Sequence, residues 1–563
     1  MPYPEQYTLG AVLQNSRDYF PGHKALADLA GKSYTYEELY QKVRELGHSL
    51  QSQGVYRGDL VAILSENKPN WVVAYFAITS IGAVAVPILP DFQTNQVHHI
   101  LRQSGCKAIF VSEKLIHKIE DGHFETLSTI ILIDDFSIPV HNLSDKVKKV
   151  LREGSKEFGK IKQAAKRLSP LHSEKINEED IASVIYTSGT TGHSKGVMLT
   201  HQNIVYDAVA TTKIQDVTPN DRLLSILPLA HSYECTVGMI IPIMQGATIY
   251  YLNKPPTARI LLPALEKVKP TMMLSVPLII EKIYKTKIEP VLHGGKAMQL
   301  LRKIPPLEKR IYKMIGKKLL KSFGGSLRFF GIGGAAVSSE VERFMRKASF
   351  PYAIGYGLTE TSPIIIGTNV EETKFRSVGK PLPGVEIRIH RPNPKTGEGE
   401  IRARGKMVMK GYYRDPERTR EVLDEEGWLK TGDLGTVDEE GYIFIIGRLK
   451  NMILGPSGEN IYPEEIEALL NEHKYVSESL VYEQEKLLVA RVHLNYESLD
   501  EKFTKQKLPE SQIHKSIEKL LLELRQGVNE LLPLFSRIHK IIEQTEPFEK
   551  TPTQKIKRYL YAN

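Results

Sequence analysis

The stretch YTSGTTGHSKG, Tyr186 to Gly196, places seven Gly, Ser or Thr residues among the nine positions from Thr187 to Lys195 and ends them on a lysine. Small residues let a backbone turn tightly, so that successive N–H groups and hydroxyls converge on a polyphosphate. The preceding IASVIY (Ile181 to Tyr186) reads as a buried strand, which puts the loop at a strand end, a frequent ligand position in α/β sheets. Gly/Ser/Thr-rich runs are more often flexible surface loops; here the strand and the terminal lysine argue for phosphate. A Walker A loop is a poor match. That motif needs Gly-Lys followed by Ser or Thr, whereas Ser194 precedes Lys195 and Gly196 follows it.

A chain of 563 residues is too long for one hydrophobic core and is expected to divide into at least two domains. An apolar share of 41% and a charged share of 25% belong to the soluble globular class. The two cysteines, Cys106 and Cys235, support neither a disulfide framework nor a zinc site, and fit a reducing cytoplasm. The opening MPYPEQYTLG lacks the basic and apolar regions of a secretory signal, so a cytoplasmic location is expected. One uncharged run, Trp71 to Pro90, is long enough to imitate a membrane span. Gly82 and Pro87 divide it, and it reads instead as a buried helix from about Asn70 to Ser80 followed by a core strand from about Ala83 to Val86. The formal excess of nine positive charges suits an anionic ligand or an anionic membrane face without choosing between them. Zinc-finger spacing, RNP-type strings and basic zippers are missing, so nucleic acid is not an expected partner.

Outward from the loop, Ser33 to Pro90 alternates helical and strand patterns, as do RLLSILPLAH (Arg222 to His231), GATIYYL (Gly246 to Leu252) and SLRFFGIGGAAV (Ser326 to Val337). That alternation argues for parallel sheets with crossover helices. Charged residues from about Asp145 to Glu179 suggest surface structure leading into the loop. Lys296 to Arg328 holds ten Lys/Arg against the single acid Glu308, with Leu300, Leu301, Ile304, Ile311, Tyr312, Ile315, Leu319 and Leu320 interleaved. Such a segment either lies on an anionic bilayer, at the inner face of the membrane, or packs as a solvated helix on its own domain. After Arg402 short strands and Gly-Asp and Glu-Gly turns predict an antiparallel subdomain ending near Arg448, and a small α+β domain follows. The expected division is 1–449 and 450–563.

Three further strings carry chemistry. In GYGLTE (Gly355 to Glu360) two glycines frame Tyr356, so its ring can lie against a flat partner, and Glu360 offers a hard ligand for Mg²⁺. Thr431-Gly432-Asp433 reads as an acid on a tight turn, able to accept hydrogen bonds from a ribose diol, and Arg448 follows a strand. Singly these are ordinary turns and surface charges. In order, however, YTSGTTGHSKG, LPLAHSYE, GIGGAAV, GYGLTET, TGDLG, GRLKNMILGPSGENIYPEEIE and KTPTQKIKRY resemble the adenylate-forming superfamily over about Ser33 to Tyr559. Within it, VPLIIEKIYK and NMILGPSGENIYPEEIE resemble the long-chain fatty acyl-CoA synthetase branch.

The resemblance implies an α/β fold: a large N-terminal domain with parallel sheets and an antiparallel subdomain, plus a small mobile α+β C-terminal domain. It implies ATP and coenzyme A as co-substrates, Mg²⁺ as cofactor and a medium- or long-chain fatty acid. Thr187, Ser188, Gly189, Thr190, Thr191, Gly192 and Lys195 would wrap the β- and γ-phosphates. Gly333, Gly334 and Ala335 would surround the adenine, with Tyr356 stacked on it beside Gly357. Thr359 would touch the α-phosphate, Glu360 with Thr187 would hold Mg²⁺, and Asp433 and Arg448 would grip the ribose. Lys450 would be the hinge, Lys555 the lysine bridging carboxylate and α-phosphate. Gly455, Ser457, Gly458 and Glu459 would meet coenzyme A after the small domain turns. His231, Gly331 and Gly333 would line the acyl channel. Leu278 stands where many long-chain relatives have Arg, and Pro456-Ser457-Gly458 where Gly-Gly pairs are common. An acyl carrier protein therefore stays open as the acceptor, and a lipid-binding protein with a decayed adenylation site is the rival from another class.

Overall fold

The computed structural model describes residues 3–137, 175–187, 194–252, 256–455, 459–506, 510–551 and 555–562. Most of the charged segment before the phosphate loop, the loop residues Ser188, Gly189, Thr190, Thr191 and Gly192, and Ser457 and Gly458 lie outside them.

Two seven-stranded sheets form the large body. One runs Gly411–Tyr412, Lys195–Thr200, Ile181–Thr187, Val84–Ile88, Leu60–Leu64, Ala108–Val111, Thr129–Leu132. The other runs Tyr352–Ile354, Phe329–Ile332, Met272–Ser275, Arg222–Ser225, Thr248–Tyr251, Lys24–Asp28, Ser33–Thr35. Most neighbours are parallel, as the alternation of strands and helices predicts. Three pairings are antiparallel, Lys24–Asp28 with Ser33–Thr35, Gly411–Tyr412 with Lys195–Thr200, and Ile181–Thr187 with Lys195–Thr200, so the two strands that flank the phosphate loop run in opposite directions. Thr187 and Lys195, on either side of that loop, are register partners.

The uncharged run resolves as expected into the helix Pro69–Ser80 and the strand Val84–Ile88. Pro69 sits in the first turn, where its missing N–H is harmless. Every residue from Pro69 to Thr79 is buried, which explains a helix apolar on all faces without a bilayer. Burial of side chains such as Trp71, Phe76 and Ile78 contributes roughly 1.5–3 kcal/mol each. Among the described residues no helix is long and apolar enough to cross a membrane.

The basic segment is two helices, Gly295–Leu301 and Pro305–Ser322, broken by the Pro305-Pro306 pair. The second turns Tyr312, Ile315 and Leu319 into the core beneath the second sheet. The antiparallel subdomain begins earlier than its turn signals suggest. Its four strands are Glu386–His390, Gly399–Arg404, Leu429–Val437 and Ile443–Arg448. After the short turn Leu449–Asn451 come the helix Pro463–Asn471, the sheet Val476–Gln484, Leu487–Leu494, Lys540–Glu543, and the long helix Glu510–Leu531. The two apolar clusters of this last region draw on residues beyond 450 alone.

Candidate active site

Strand register assembles the cleft. Asp433 and Arg448 are opposite one another on neighbouring antiparallel strands, and Arg448 Nε lies 2.8 Å from Asp433 Oδ1. Asp433 is not on a free turn, as its sequence suggested. It lies inside the nine-residue strand Leu429–Val437, which bends at Gly432 where φ is +71°. Only glycine adopts that angle without strain, and the bend turns the carboxylate inward. The Tyr356 hydroxyl donates to Asp433 Oδ2 at 2.7 Å. Burial pushes the Asp433 carboxyl up, while Arg448 and Tyr356 pull it back; the balance remains above the ordinary carboxylate value. Each oxygen already has one partner and keeps a second lone pair for a ligand.

The chain around Tyr356 is fixed by backbone crowding. A Cβ on Gly357 would fall 1.7 Å from the Pro363 carbonyl oxygen, so no other residue fits there. Thr359 and Glu360 follow on a single 3₁₀ turn. The Glu360 carboxylate receives the Lys195 ammonium at 2.8 Å and the Tyr412 hydroxyl at 2.9 Å, and Lys195 also reaches the Tyr412 oxygen. Burial alone would raise the Glu360 pKa, yet Lys195 beside it holds the carboxyl below its usual range. An ionised pair is therefore ready at the end of the loop. Thr187 Oγ1, on the strand beside it, is closed off from solvent and has no hydrogen-bond partner among the described residues. An orphan hydroxyl and an anionic carboxylate are hard oxygen donors of the kind Mg²⁺ takes, so the residues present fit that ion.

Tyr412 was not singled out from the sequence. It precedes Tyr413 in Gly411-Tyr412-Tyr413, the same Gly-aromatic pattern that singled out Tyr356, and that was the available signal. Its short strand pairs antiparallel with the strand carrying Lys195, opposite Val197, which sets the ring 4.2 Å under the Lys195 ammonium.

The C-terminal region contributes Lys555. The residue is exposed, and Arg448, Asp433 and Glu360 lie near enough to act on the charge of its ammonium. Desolvation, then Arg448, lowers its pKa, and the two carboxylates act the other way. Lys450 sits in the turn Leu449–Asn451, between the antiparallel subdomain and the last region. Gly455 and Glu459 close on each other through a backbone bond of 2.7 Å.

The expected acyl residues lie at the end of the second sheet. Gly331 and Gly333 do not leave open space. A Cβ on Gly331 would meet Leu274 and Phe329 at 2.9 Å, and one on Gly333 would meet the Tyr233 ring at 3.2 Å. Those side chains occupy the room that the glycines vacate. Beside them an apolar cavity of about 30 Å³ is lined by Val237, Ile241, Leu274 and Phe329. Gly334 and Ala335 are exposed just beyond the strand Phe329–Ile332. His231 has its pKa lowered to about 4, by burial and then by Lys555, and its Nδ1 accepts the Tyr233 N–H at 3.3 Å. It is neutral at physiological pH.

Two largely parallel sheets, an antiparallel subdomain and two shielded ion pairs make the frame of the large body, with a small α+β region after it. Residues 13–413 match the AMP-binding enzyme family, and the chain belongs to that family. It is 30% identical over 519 residues to the long-chain-fatty-acid–CoA ligase FadD15 of Mycobacterium bovis, covering 85% of this chain and 81% of that protein. It is also 30% identical over 472 residues to 4-coumarate–CoA ligase 1 of Petroselinum crispum, covering 80% and 77%. O-succinylbenzoate coenzyme A synthetase from Bacillus subtilis, solved with AMP, superposes with a TM-score of 0.74 at 24% identity, over 98% of each chain. These comparisons bear out the adenylate-forming fold and the acyl-CoA synthetase resemblance.

Proposed function

We propose that this protein activates a medium- or long-chain fatty acid with ATP, forming an acyl-adenylate and pyrophosphate, and then passes the acyl group to coenzyme A with release of AMP. What carries the reading is one convergence. Lys195 pairs with Glu360 and Asp433 with Arg448 in the large body, and Lys555 of the last region lies within electrostatic reach of Glu360, Asp433 and Arg448.

The chemistry asks for that set. A carboxylate attacking the α-phosphorus approaches a centre surrounded by negative oxygens, so cations must sit where charge accumulates. Lys195 meets the terminal phosphates as it leaves Glu360, and the freed carboxylate is then available with Thr187 to hold Mg²⁺. When bound, that ion neutralises phosphate charge. Asp433 and Arg448 hold the ribose, fixing the α-phosphorus within reach of Lys555, which pairs with both the attacking carboxylate and the α-phosphate oxygens. Withdrawal of Lys555 by rotation near Lys450 would let Gly455 to Glu459 face the incoming thiol.

A fatty rather than aromatic acid is favoured by the curated long-chain relatives. Coenzyme A is favoured over a carrier protein by the same relatives' names. The test is AMP release from a panel of acetate, octanoate, palmitate, oleate and 4-coumarate, each with coenzyme A and with a phosphopantetheinyl carrier protein. The expected result is highest kcat/KM on octanoate to oleate with coenzyme A. Preference for 4-coumarate, or turnover with the carrier protein alone, would overturn the corresponding half of the reading.

A further inference from the structure

The two helices of the basic segment leave one face unclaimed by the core. Pro305–Ser322 buries Tyr312, Ile315 and Leu319. At 100° per residue its opposite side carries Leu307, Arg310, Met314, Lys317 and Lys321. Met314 is 62% exposed, and the adjoining short helix and its exit hold Leu300 at 66%, Leu301 at 42% and Ile304 at 46%. Single exposed apolar residues are ordinary; these converge. Leu301, Leu307, Arg310, Ile311 and Met314 line a shared apolar cleft of about 170 Å³ between the two helices. On the same side of the helix Lys317, Lys318 and Lys321 are exposed to solvent, and the exposed Lys303 stands in the link between the two helices. The one acid of the segment, Glu308, is neutralised by Lys347 at 2.9 Å and lies towards the core side.

We propose that this face is a docking surface for an anionic phospholipid bilayer, with Leu300, Leu301, Ile304 and Met314 entering the acyl boundary and the lysines resting on the headgroups. The occupant follows from the combination. An acidic protein would satisfy the lysines but leaves no reason for protruding Leu and Met side chains around an apolar cleft. A neutral hydrophobic partner would leave the lysines unmatched. An anionic bilayer answers both, apolar insertion adding to headgroup attraction of roughly fivefold in affinity per lysine near the surface.

Flotation of the full-length protein with extruded vesicles tests it, using phosphatidylcholine alone and phosphatidylcholine mixed with phosphatidylglycerol. Leu301→Asp with Met314→Asp removes the apolar element, and Lys317→Glu with Lys321→Glu reverses the charge. All four side chains are exposed, so thermal melting is expected to match the unmodified protein and serves as the folding control. The expected outcome is binding to phosphatidylglycerol vesicles only, weakened at least tenfold by either double substitution and by raised salt. Failure to bind, or binding indifferent to both variants, overturns the proposal. So does binding that needs the lysines but ignores the loss of Leu301 and Met314, since that behaviour marks a site for an acidic protein.

Discussion

The walls of the cleft and the seam beside it are held by different physics. Within the large body, Lys195–Glu360 and Asp433–Arg448 are ion pairs whose carboxylates are mostly shielded, the side chains of Glu360 and Asp433 being 12% and 6% exposed. Lys195, Asp433 and Arg448 belong to strands locked by register and Glu360 to the turn Thr359–Thr361, with apolar clusters behind them. The seam with the last region is polar. Lys285 donates to the carbonyls of Asn471 and Val476 at 3.0 and 3.2 Å, Ser339 meets Glu472, and Tyr462 donates to Glu398 at 2.9 Å. No apolar cluster among the described residues spans it. Each hydrogen bond of that kind contributes about 0.5–1.5 kcal/mol net, because water replaces it when broken. A shielded ion pair broken on one side leaves a buried charge and costs more. Separating the seam therefore costs less than opening the walls of the cleft.

The largest effect expected on that contrast comes from Lys555→Ala. Fatty acid-dependent ATP–pyrophosphate exchange should fall by roughly 10²–10³, the loss of one transition-state donor, while thioester formation from preformed acyl-adenylate changes little. Equal losses in both half-reactions would mean that the seam never parts. The same lysine sets a pH effect. Because desolvation and Arg448 disfavour its charged form, it loses its proton below the ordinary lysine value of 10.5. The kcat/KM for adenylation should therefore decline on the alkaline side earlier than an unshifted lysine allows, and Lys555→Arg should remove that decline while retaining measurable exchange.

Asp433→Ala should weaken ATP binding by about 10- to 100-fold, from the loss of charged hydrogen bonds worth roughly 1.5–3 kcal/mol, read by nucleotide titration. Tyr412→Phe is expected to raise the KM for ATP about fivefold with kcat nearly unchanged, since one neutral hydroxyl worth about 1 kcal/mol leaves the Lys195–Glu360 pair. A large fall in kcat instead would put Tyr412 among the reacting groups. The smallest effect belongs to Lys285→Ala. With the seam loosened, limited proteolysis near Leu449–Lys450 should quicken two- to threefold while thermal unfolding of the large body stays put. Unfolding of the large body would show that the seam supports it.

Much of the fold was legible because it is encoded locally. The buried helix before Gly82, the alternating strands and the short strands ending at Arg448 follow from apolar period and turn residues within a few positions. The bend at Gly432 was misread as a turn because a glycine beside an acid looks the same in a loop and in a kinked strand. The glycines at 331 and 333 suggested open space, since nothing nearby in sequence announces that Phe329, Leu274 and Tyr233 fill it. Tyr412 and Lys195 stand 217 residues apart, and their contact depends on a strand pairing that no local pattern specifies.

The amino-acid sequence by itself determined which side chains are available: a lysine at the end of a glycine-rich loop, a glutamate after Gly-Tyr-Gly, an aspartate, an arginine and a lysine near the end, in family order. Only the tertiary structure decided which of them hold one another and which stand near the seam. The physical reason is that residue type and spacing fix charge and local geometry. Pair energies depend on distance and shielding, and those exist only once the register of distant strands has been set.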